Sequence, residues 1–165
     1  MSAEQCYYFD TNALYKHYVS DKSETTIRRL STTNTVYVSN LSYLETLSVL
    51  MKYFRRGELK KKAVNRVIDQ LKHDIGTTPR HRFQLVATPE GVFRDARALM
   101  IEYAMKYELS TNDALHIAMA RTLTPPVIMV TSDGGKSDSG KMKGVCSQIR
   151  LEVFDPETTQ AALTQ

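Results

Sequence analysis

The sequence predicts a single α/β domain over residues 1–165 with a mainly parallel five-stranded sheet. Short stretches rich in β-branched and aromatic residues alternate along the chain with longer stretches in which apolar residues recur at helical spacing. One short stretch, residues 127–130, is apolar throughout, as a strand buried on both faces of a sheet would be. No internal repeat and no linker divides the chain, so we expect one core.

The first half of the chain is predicted to contain two strands, two helices and a helical hairpin. These are a strand at Tyr7–Phe9, a helix from Ala13, a short helix at Thr25–Leu30, a strand at Thr35–Ser39 and a hairpin over about residues 41–75 that is divided at Gly57. The second half is predicted to contain three strands, two helices and a loop. These are a strand at Phe83–Ala87, helices at Val92–Ala104 and Leu109–Leu123, a strand at Val127–Val130, a flexible basic loop over about residues 134–144 and a strand at Arg150–Phe154.

The composition is that of an ordinary globular protein, with 42% hydrophobic residues. The 22 basic and 18 acidic residues give a formal charge of +4, which permits an anionic partner without requiring one. No signal-peptide pattern and no apolar run of about 18–20 residues is present, so we expect a cytoplasmic protein without a membrane span. Cys6 and Cys146 match no metal-ligand spacing and are interpreted as reduced thiols.

Four acidic residues are predicted to lie at the carboxyl edge of the sheet: Asp10, Glu45, Asp113 and Asp133. Asp10 follows the first strand directly, and Asp133 follows the apolar strand after two residues. Glu45 lies in the second turn of the helix after the second strand, about 40° from the apolar Leu41 by the helical period. Asp113 lies at the start of a helix that is apolar on nearly every side. The edge outside the carboxyl ends of the strands is where ligands bind in open α/β sheets.

Each of these acids also has a structural explanation of its own. Asp10 can cap the helix that follows it, and Ser110 with Asp113 forms the sequence pattern of a capping box. Glu45 can reach water from the margin of an apolar stripe, and Asp133 can belong to an Asp-Gly turn. These explanations are independent of one another, and they do not account for four acids along one edge.

Four carboxylates brought together would repel one another and raise one another's pKa values. Hard divalent cations such as Mg²⁺ remove that repulsion, because they prefer carboxylate oxygens and substrate phosphates. Two such ions about 3.5–4 Å apart can stabilise the attacking and leaving oxygens of a phosphoryl displacement. The chain has neither a zinc-ligand spacing nor a Walker loop, and His116 is interpreted as a helix-surface or core histidine.

The stretches around these acids resemble the acidic motifs of PIN-domain ribonucleases. The resemblance extends over Tyr7–Phe154 and rests on Phe9–Asp10–Thr11–Asn12, Leu44–Glu45, the stretch Leu109–Ala118 around Asp113, and Val130–Thr131–Ser132–Asp133. The size and single-domain layout are similar to those of VapC-type toxins of bacterial and archaeal toxin–antitoxin pairs.

The resemblance implies a three-layer α/β/α Rossmann-like domain with the parallel strand order 3-2-1-4-5. It also implies an Mg²⁺- or Mn²⁺-dependent endoribonuclease that hydrolyses single-stranded or structured RNA. The metal-binding acids would be Asp10, Glu45, Asp113 and Asp133, with Asn12 and Thr131 as the polar residues that orient them. Members of the family commonly form homodimers and, when they are toxins, are silenced by an antitoxin protein that inserts into the site.

One segment departs from the family pattern. Residues 134–144 are rich in Gly, Ser and Lys where the family usually has an apolar helix, and whether Asp138 joins the site is left open. The basic residues that we expect to contact RNA are Lys136, Lys141, Lys143, Arg55 and Arg56. A solvated helix face explains the run of lysines 60–62 at least as well as RNA binding does.

Two other functions are weighed against the ribonuclease. The first is a catalytically silent PIN-like module that binds RNA or protein, and four acids in the expected places argue against it. The second is a phosphatase of the haloacid-dehalogenase type, which also has a strand that ends in Asp. That family requires a second Asp two residues later, where this chain has Asn12.

Overall fold

The computed structural model describes residues 5–20, 22–132 and 141–158, which form six strands and seven helices. The strands are β1 (Cys6–Phe9), β2 (Thr35–Ser39), β3 (Ile75–Gly76), β4 (Phe83–Val86), β5 (Ile128–Val130) and β6 (Val153–Phe154). The helices are α1 (Thr11–Tyr18), α2 (Glu24–Thr33), α3 (Asn40–Arg55), α4 (Lys61–Asp74), α5 (Val92–Tyr107), α6 (Thr111–Thr122) and α7 (Lys141–Gln148). None of the helices in these ranges is long and apolar enough to span a bilayer.

The six strands form one parallel sheet in the order β3-β4-β2-β1-β5-β6. Without β3 this is the 3-2-1-4-5 order that the resemblance implies, so the predicted topology is confirmed. The predicted number of five strands is wrong by one. The additional strand, β3, has only two residues, and two residues carry no periodicity from which a strand can be predicted.

The sheet separates two hydrophobic clusters, and successive side chains of β1 point alternately into one cluster and the other. Tyr7 and Phe9 belong to the cluster that packs under α1 to α4, whereas Tyr8 points to the opposite face and belongs to the cluster under α5, α6 and α7. Because β1 lies between β2 and β5, its four residues are all buried. The predicted three-layer α/β/α architecture is therefore confirmed.

The predicted helical hairpin is present as α3 and α4, and Gly57 separates them as expected. Gly57 has a φ of 74°, which glycine adopts without strain. Its N–H donates to the Phe54 carbonyl at 2.9 Å, and the N–H of Glu58 donates to the Tyr53 carbonyl at 3.0 Å. These two bonds make the Schellman motif, which satisfies carbonyls that the end of α3 would otherwise leave without partners.

The prediction of a flexible loop over residues 134–144 is wrong for its last four residues. Residues 141–144 form the first half of α7, while residues 133–140 lie outside the described part of the chain. The helix forms because Met142, Val145 and Cys146, at helical spacing, are buried against the core of the second cluster. Cys6 and Cys146 are both buried and free of any disulfide, as predicted.

Candidate active site

A cavity of about 430 Å³ opens at the carboxyl edge of the sheet, where β1 and β2 lead into α1 and α3. Three of the four predicted acids, Asp10, Glu45 and Asp113, line this cavity. The fourth, Asp133, lies outside the described residues. The other lining residues are Thr11, Asn12, Ser48, Val49, Lys52, Asn112, His116 and Met142.

Asp10 reaches the cavity from the end of β1 and also caps α1. Its Oδ1 accepts a hydrogen bond from the Ala13 N–H at 2.8 Å, and its own N–H donates to the Val130 carbonyl at 3.3 Å. The residue is only 3% exposed. The capping role is therefore real, and it fixes the direction of the carboxylate relative to the sheet edge.

Glu45 is held in place by three side chains from two other helices. Thr11 Oγ1 and Asn112 Nδ2 donate to its two carboxylate oxygens, and His116 Nε2 lies 2.8 Å from Oε2. Partial burial disfavours the ionised form, but the hydrogen bonds from His116, Thr11 and Asn112 outweigh it and lower the pKa of Glu45 below its usual value. The carboxylate is thus ionised and fixed in direction, rather than a surface group with its head in water.

His116 belongs to the site, which the sequence analysis did not expect. The ring is 2% exposed and lies between Glu45 and the buried Tyr8, whose hydroxyl is 2.8 Å from Nδ1. A carboxylate only accepts hydrogen bonds, so Nε2 is the donor to Glu45, and Nδ1 makes the hydrogen bond with the Tyr8 hydroxyl. Burial raises the pKa of Tyr8, so its hydroxyl stays protonated. The spacing of Asp113 and His116 on one helix face was the sequence signal for this residue.

Asp113 caps α6 and also lies on the cavity wall. Its Oδ2 accepts from the Ser110 N–H at 3.0 Å, and its N–H donates to Ser110 Oγ at 3.2 Å, which completes the predicted capping box of α6. The same residue lines the cavity and is half-buried. The capping box therefore presents a carboxylate at the cavity wall instead of at the open surface.

The donor set fits a hydrated divalent cation by its chemistry. Asp10, Glu45 and Asp113 supply carboxylate oxygens, which are the ligands that Mg²⁺ and Mn²⁺ prefer. Within residues 5–20, 22–132 and 141–158, no three His, Cys, Asp or Glu side chains already form a cluster that could hold an ion. A closed cage is not required, because Mg²⁺ usually keeps several waters and is held by one or two carboxylates together with substrate phosphates.

The two predicted orienting residues lie in different surroundings. Asn12 is exposed on the cavity wall. Thr131 is buried at the end of β5, where its N–H donates to the Phe154 carbonyl at 3.2 Å, and it is not among the cavity-lining residues. Lys52, one of the basic residues of the helical hairpin, is an exposed cation on the cavity wall.

The predicted RNA-contacting residues are spread over the molecule. Lys141 is exposed at the start of α7, and Lys136 lies outside the described residues. Arg55 and Arg56 are exposed at the far end of α3, about 15 Å along the helix from Glu45. The expectation for Lys143 is corrected: it is 5% exposed and paired with Asp155 at 2.8 Å, so it is a buried structural cation.

Comparison with solved structures finds the same fold in several proteins. FitAcB from Neisseria gonorrhoeae is 17% identical, with a TM-score of 0.60 over 92% of this chain and 98% of its own. VapBC2 from Rickettsia felis, bound to a DNA fragment from its promoter, is 16% identical, with a TM-score of 0.59 over 92% and 98%. VapC20 from Mycobacterium tuberculosis, a sarcin-ricin loop cleaving toxin, is 19% identical, with a TM-score of 0.50 over 70% and 82%.

Identities this low establish a shared fold and nothing finer. No curated protein matches the sequence. The model of the PIN domain, in contrast, matches residues 7–134, which is well over half of the chain and includes Asp10, Glu45 and Asp113. The protein therefore belongs to the PIN domain family.

Proposed function

We propose that the protein is a metal-dependent endoribonuclease and the toxin of a toxin–antitoxin pair. The observation that carries the proposal is the single cavity at the carboxyl edge of the sheet, which brings Asp10, Glu45 and Asp113 together from three separate elements. Membership of the PIN domain family supports the nuclease class. The fold shared with a toxin that cleaves the sarcin-ricin loop supports the toxin role.

Mg²⁺ or Mn²⁺ is the proposed cofactor, held by Asp10, Glu45 and Asp113 and, by the family resemblance, Asp133. When bound, the ion supplies Lewis-acid stabilisation of phosphodiester oxygens. The protein contributes by orienting the acids before substrate binds: Asp10 through the cap of α1 and Glu45 through its three donors.

The cavity wall also offers groups that suit an RNA strand. Lys52 places a positive charge beside the acids, where it can neutralise a phosphate next to the cleaved bond. The amides of Asn12 and Asn112 can hydrogen-bond to ribose hydroxyls or base edges, although Asn112 already donates to Glu45.

An antitoxin and a second copy of the chain are the proposed protein partners, and the cytoplasm is the proposed compartment. The antitoxin is proposed from the resemblance to VapC-type toxins, and the fold shared with the FitAcB and VapBC2 structures supports it. The homodimer rests on the family resemblance alone.

The central test is a cleavage assay with the pure protein and single-stranded RNA. We expect cleavage with Mg²⁺ or Mn²⁺, none with EDTA, and none with Asp10→Asn, which keeps a capping side chain at the start of α1. RNA binding without cleavage by the wild-type protein under every metal condition would instead identify a silent binding module. For the toxin role, expression should arrest growth, and Asp113→Asn should relieve the arrest.

A further inference from the structure

A second, larger concavity of about 1650 Å³ lies away from the candidate active site, between α1, α2, α4 and the segment before β4. We call it the basic groove. Its charged lining residues are Arg28, Lys60, Lys61, Lys62, Arg66, Arg82, Asp69 and Asp74. Six cations against two acids give an excess of four positive charges, which equals the formal charge of the whole chain. The groove therefore has a net positive charge as large as that of the whole chain.

The positive charge of the groove is strongest along α4. Among the described residues, none of Lys60, Lys61, Lys62 and Arg66 forms an ion pair, and all four are exposed. Arg28 and Arg82, in contrast, have partners in Glu24 at 2.8 Å and Asp74 at 3.9 Å. The cations of α4 are thus the ones available to a ligand.

This arrangement works against the stability of α4 itself. The first turn of the helix contains no acidic residue, and Lys60 at the N-cap makes no side-chain capping bond. Lysines at the positive end of the helix dipole are unfavourable, and so is the like-charge pair Lys62 and Arg66 at i,i+4. A bound polyanion would remove both penalties.

We infer that the basic groove binds the sugar–phosphate backbone of the RNA substrate outside the cleavage cavity; the choice of RNA rests on the proposed function. Besides its cations, the groove presents the amides of Asn65 and Gln70 and the ring of Tyr18. Phosphates, ribose hydroxyls and stacking bases use all three kinds of group. An acidic peptide could also use the cations and the amides, but it has no bases to stack on the ring.

Helix α1 connects the two sites. Thr11 and Asn12 in its first turn line the cavity, and His17 and Tyr18 in its last turn line the basic groove. The helix has eight residues, so its two ends are about 12 Å apart. A strand of RNA that is cut in the cavity can therefore continue along α1 into the groove. The contacts made in the groove would add binding affinity without involving the acids of the cavity.

Binding is tested in the Asp10→Asn background with a fluorescent single-stranded RNA in EDTA, so that no cleavage interferes. The groove variant is Lys62→Glu with Arg66→Glu. The matched control is Lys72→Glu with Arg97→Glu, which makes the same charge change at exposed positions that do not line the groove. We expect the groove variant to raise Kd roughly tenfold and to lower the slope of log K against log salt by about 0.7 for each lost phosphate contact.

Loss of folding is checked by the thermal midpoint of the groove variant. Glu at position 62, in the first turn of α4, interacts favourably with the helix dipole, and the substitutions replace one like-charge pair at i,i+4 with another. The thermal midpoint should therefore stay close to that of the parent. Equal RNA affinity for the groove variant and the control overturns the inference. So does a groove variant that loses binding of polyglutamate but keeps binding of RNA, since the groove then serves an acidic peptide.

A second arm separates this inference from the proposed function. For this arm the groove substitutions are made in the protein that retains Asp10, and Mn²⁺ is added. This variant should cleave a dinucleotide as well as the wild-type protein does, but its kcat/KM on long RNA should be lower. If no form of the protein cleaves RNA while the groove variant still loses affinity, the nuclease proposal fails and the groove stands. If long and short substrates are cleaved equally well by both proteins, the groove inference fails and the nuclease stands.

Discussion

His116 Nε2 lies 2.8 Å from Oε2 of Glu45, and this contact joins a carboxylate on α3 to a buried ring on α6. The ring is fixed in turn by Tyr8, whose hydroxyl also lies 2.9 Å from Ser39 Oγ. The direction of Glu45 is therefore set by a hydrogen-bonded chain that begins inside the sheet. We regard His116 as a positioning residue, because it acts on the proposed reaction through Glu45.

The first prediction concerns this contact. His116→Leu removes the donor to Glu45 and the hydrogen-bond partner of the Tyr8 hydroxyl, and we expect RNA cleavage to fall by about 10–100-fold, as for partners that orient metal ligands. Half-maximal activity should also require more Mn²⁺. His116→Gln, whose amide can still donate, should recover part of the loss. Initial rates across a Mn²⁺ titration measure both effects, and an unchanged Mn²⁺ requirement in His116→Leu would show that the ring does not position Glu45.

The second prediction separates capping from chemistry at the start of α6. Ser110→Ala removes the hydroxyl that accepts from the Asp113 N–H, and it should lower the free energy of unfolding by about 1 kcal/mol while cleavage persists. Asp113→Asn keeps an oxygen for the Ser110 N–H but loses the charge, so it should abolish cleavage with little change in stability. Urea unfolding and cleavage assays on both variants test the pair. Full activity in Asp113→Asn would leave Asp113 with the capping role alone.

The third prediction concerns acid stability. His17 is buried beside Phe83. Burial is the main cause that lowers the pKa of His17 to about 4. The positive charges of Arg82 and Arg28 lower this pKa further, whereas the negative charges of Asp74 and Glu24 oppose the shift. The pKa of histidine in the unfolded chain is about 6.5. Between about pH 4 and pH 6.5, His17 is therefore protonated in the unfolded state but neutral in the folded state. The contribution of His17 to stability is thus complete above about pH 6.5 and is lost as pH falls towards 4, by up to about 3 kcal/mol.

Unfolding by urea at several values between pH 7 and pH 4 measures this dependence. His17→Gln should flatten it, and His73→Gln, at a side chain that is 89% exposed, is the control that should follow the wild type. A His17→Gln protein with the wild-type pH dependence would place the titrating group elsewhere.

The fourth prediction follows from the burial of Lys143. Lys143→Met leaves the buried Asp155 carboxylate without this cation, and we expect a loss of about 3–5 kcal/mol in the free energy of unfolding. The double variant Lys143→Met with Asp155→Leu should recover much of that loss. Lys141→Met, at an exposed position on the same helix, should change stability by less than about 0.5 kcal/mol. Urea unfolding measures all three, and a stable Lys143→Met protein with weakened RNA binding would restore Lys143 as an RNA contact.

The parts of the fold that the sequence predicted well are those specified by local pattern. Strands β1 and β5 were evident because each is an uninterrupted run of aromatic or apolar residues. The order of the strands, in contrast, was predicted from the family resemblance. Three acids were placed correctly at the cavity because each lies within a turn or two of a strand end or a helix start, and the edge of a parallel sheet then brings them together.

The parts that were missed depend on partners far apart in the chain. Lys143 is buried only because Asp155 accompanies it, and a lysine considered alone is expected at the surface. His116 finds its partners in Tyr8 and Glu45, which lie 108 and 71 residues away along the chain. The first half of helix α7 was wrongly predicted as a loop for a different reason. The helical spacing of Met142 and Val145 was present, but the neighbouring Gly, Ser and Lys residues favoured a loop.

The central position of β1 has a consequence for how the candidate active site unfolds. Asp10 extends from a strand that is hydrogen-bonded to neighbours on both sides and covered by a hydrophobic cluster on each face. Local opening elsewhere in the chain leaves such a strand intact, whereas its release requires both clusters to come apart. The floor of the cavity and the domain should therefore melt as one cooperative unit.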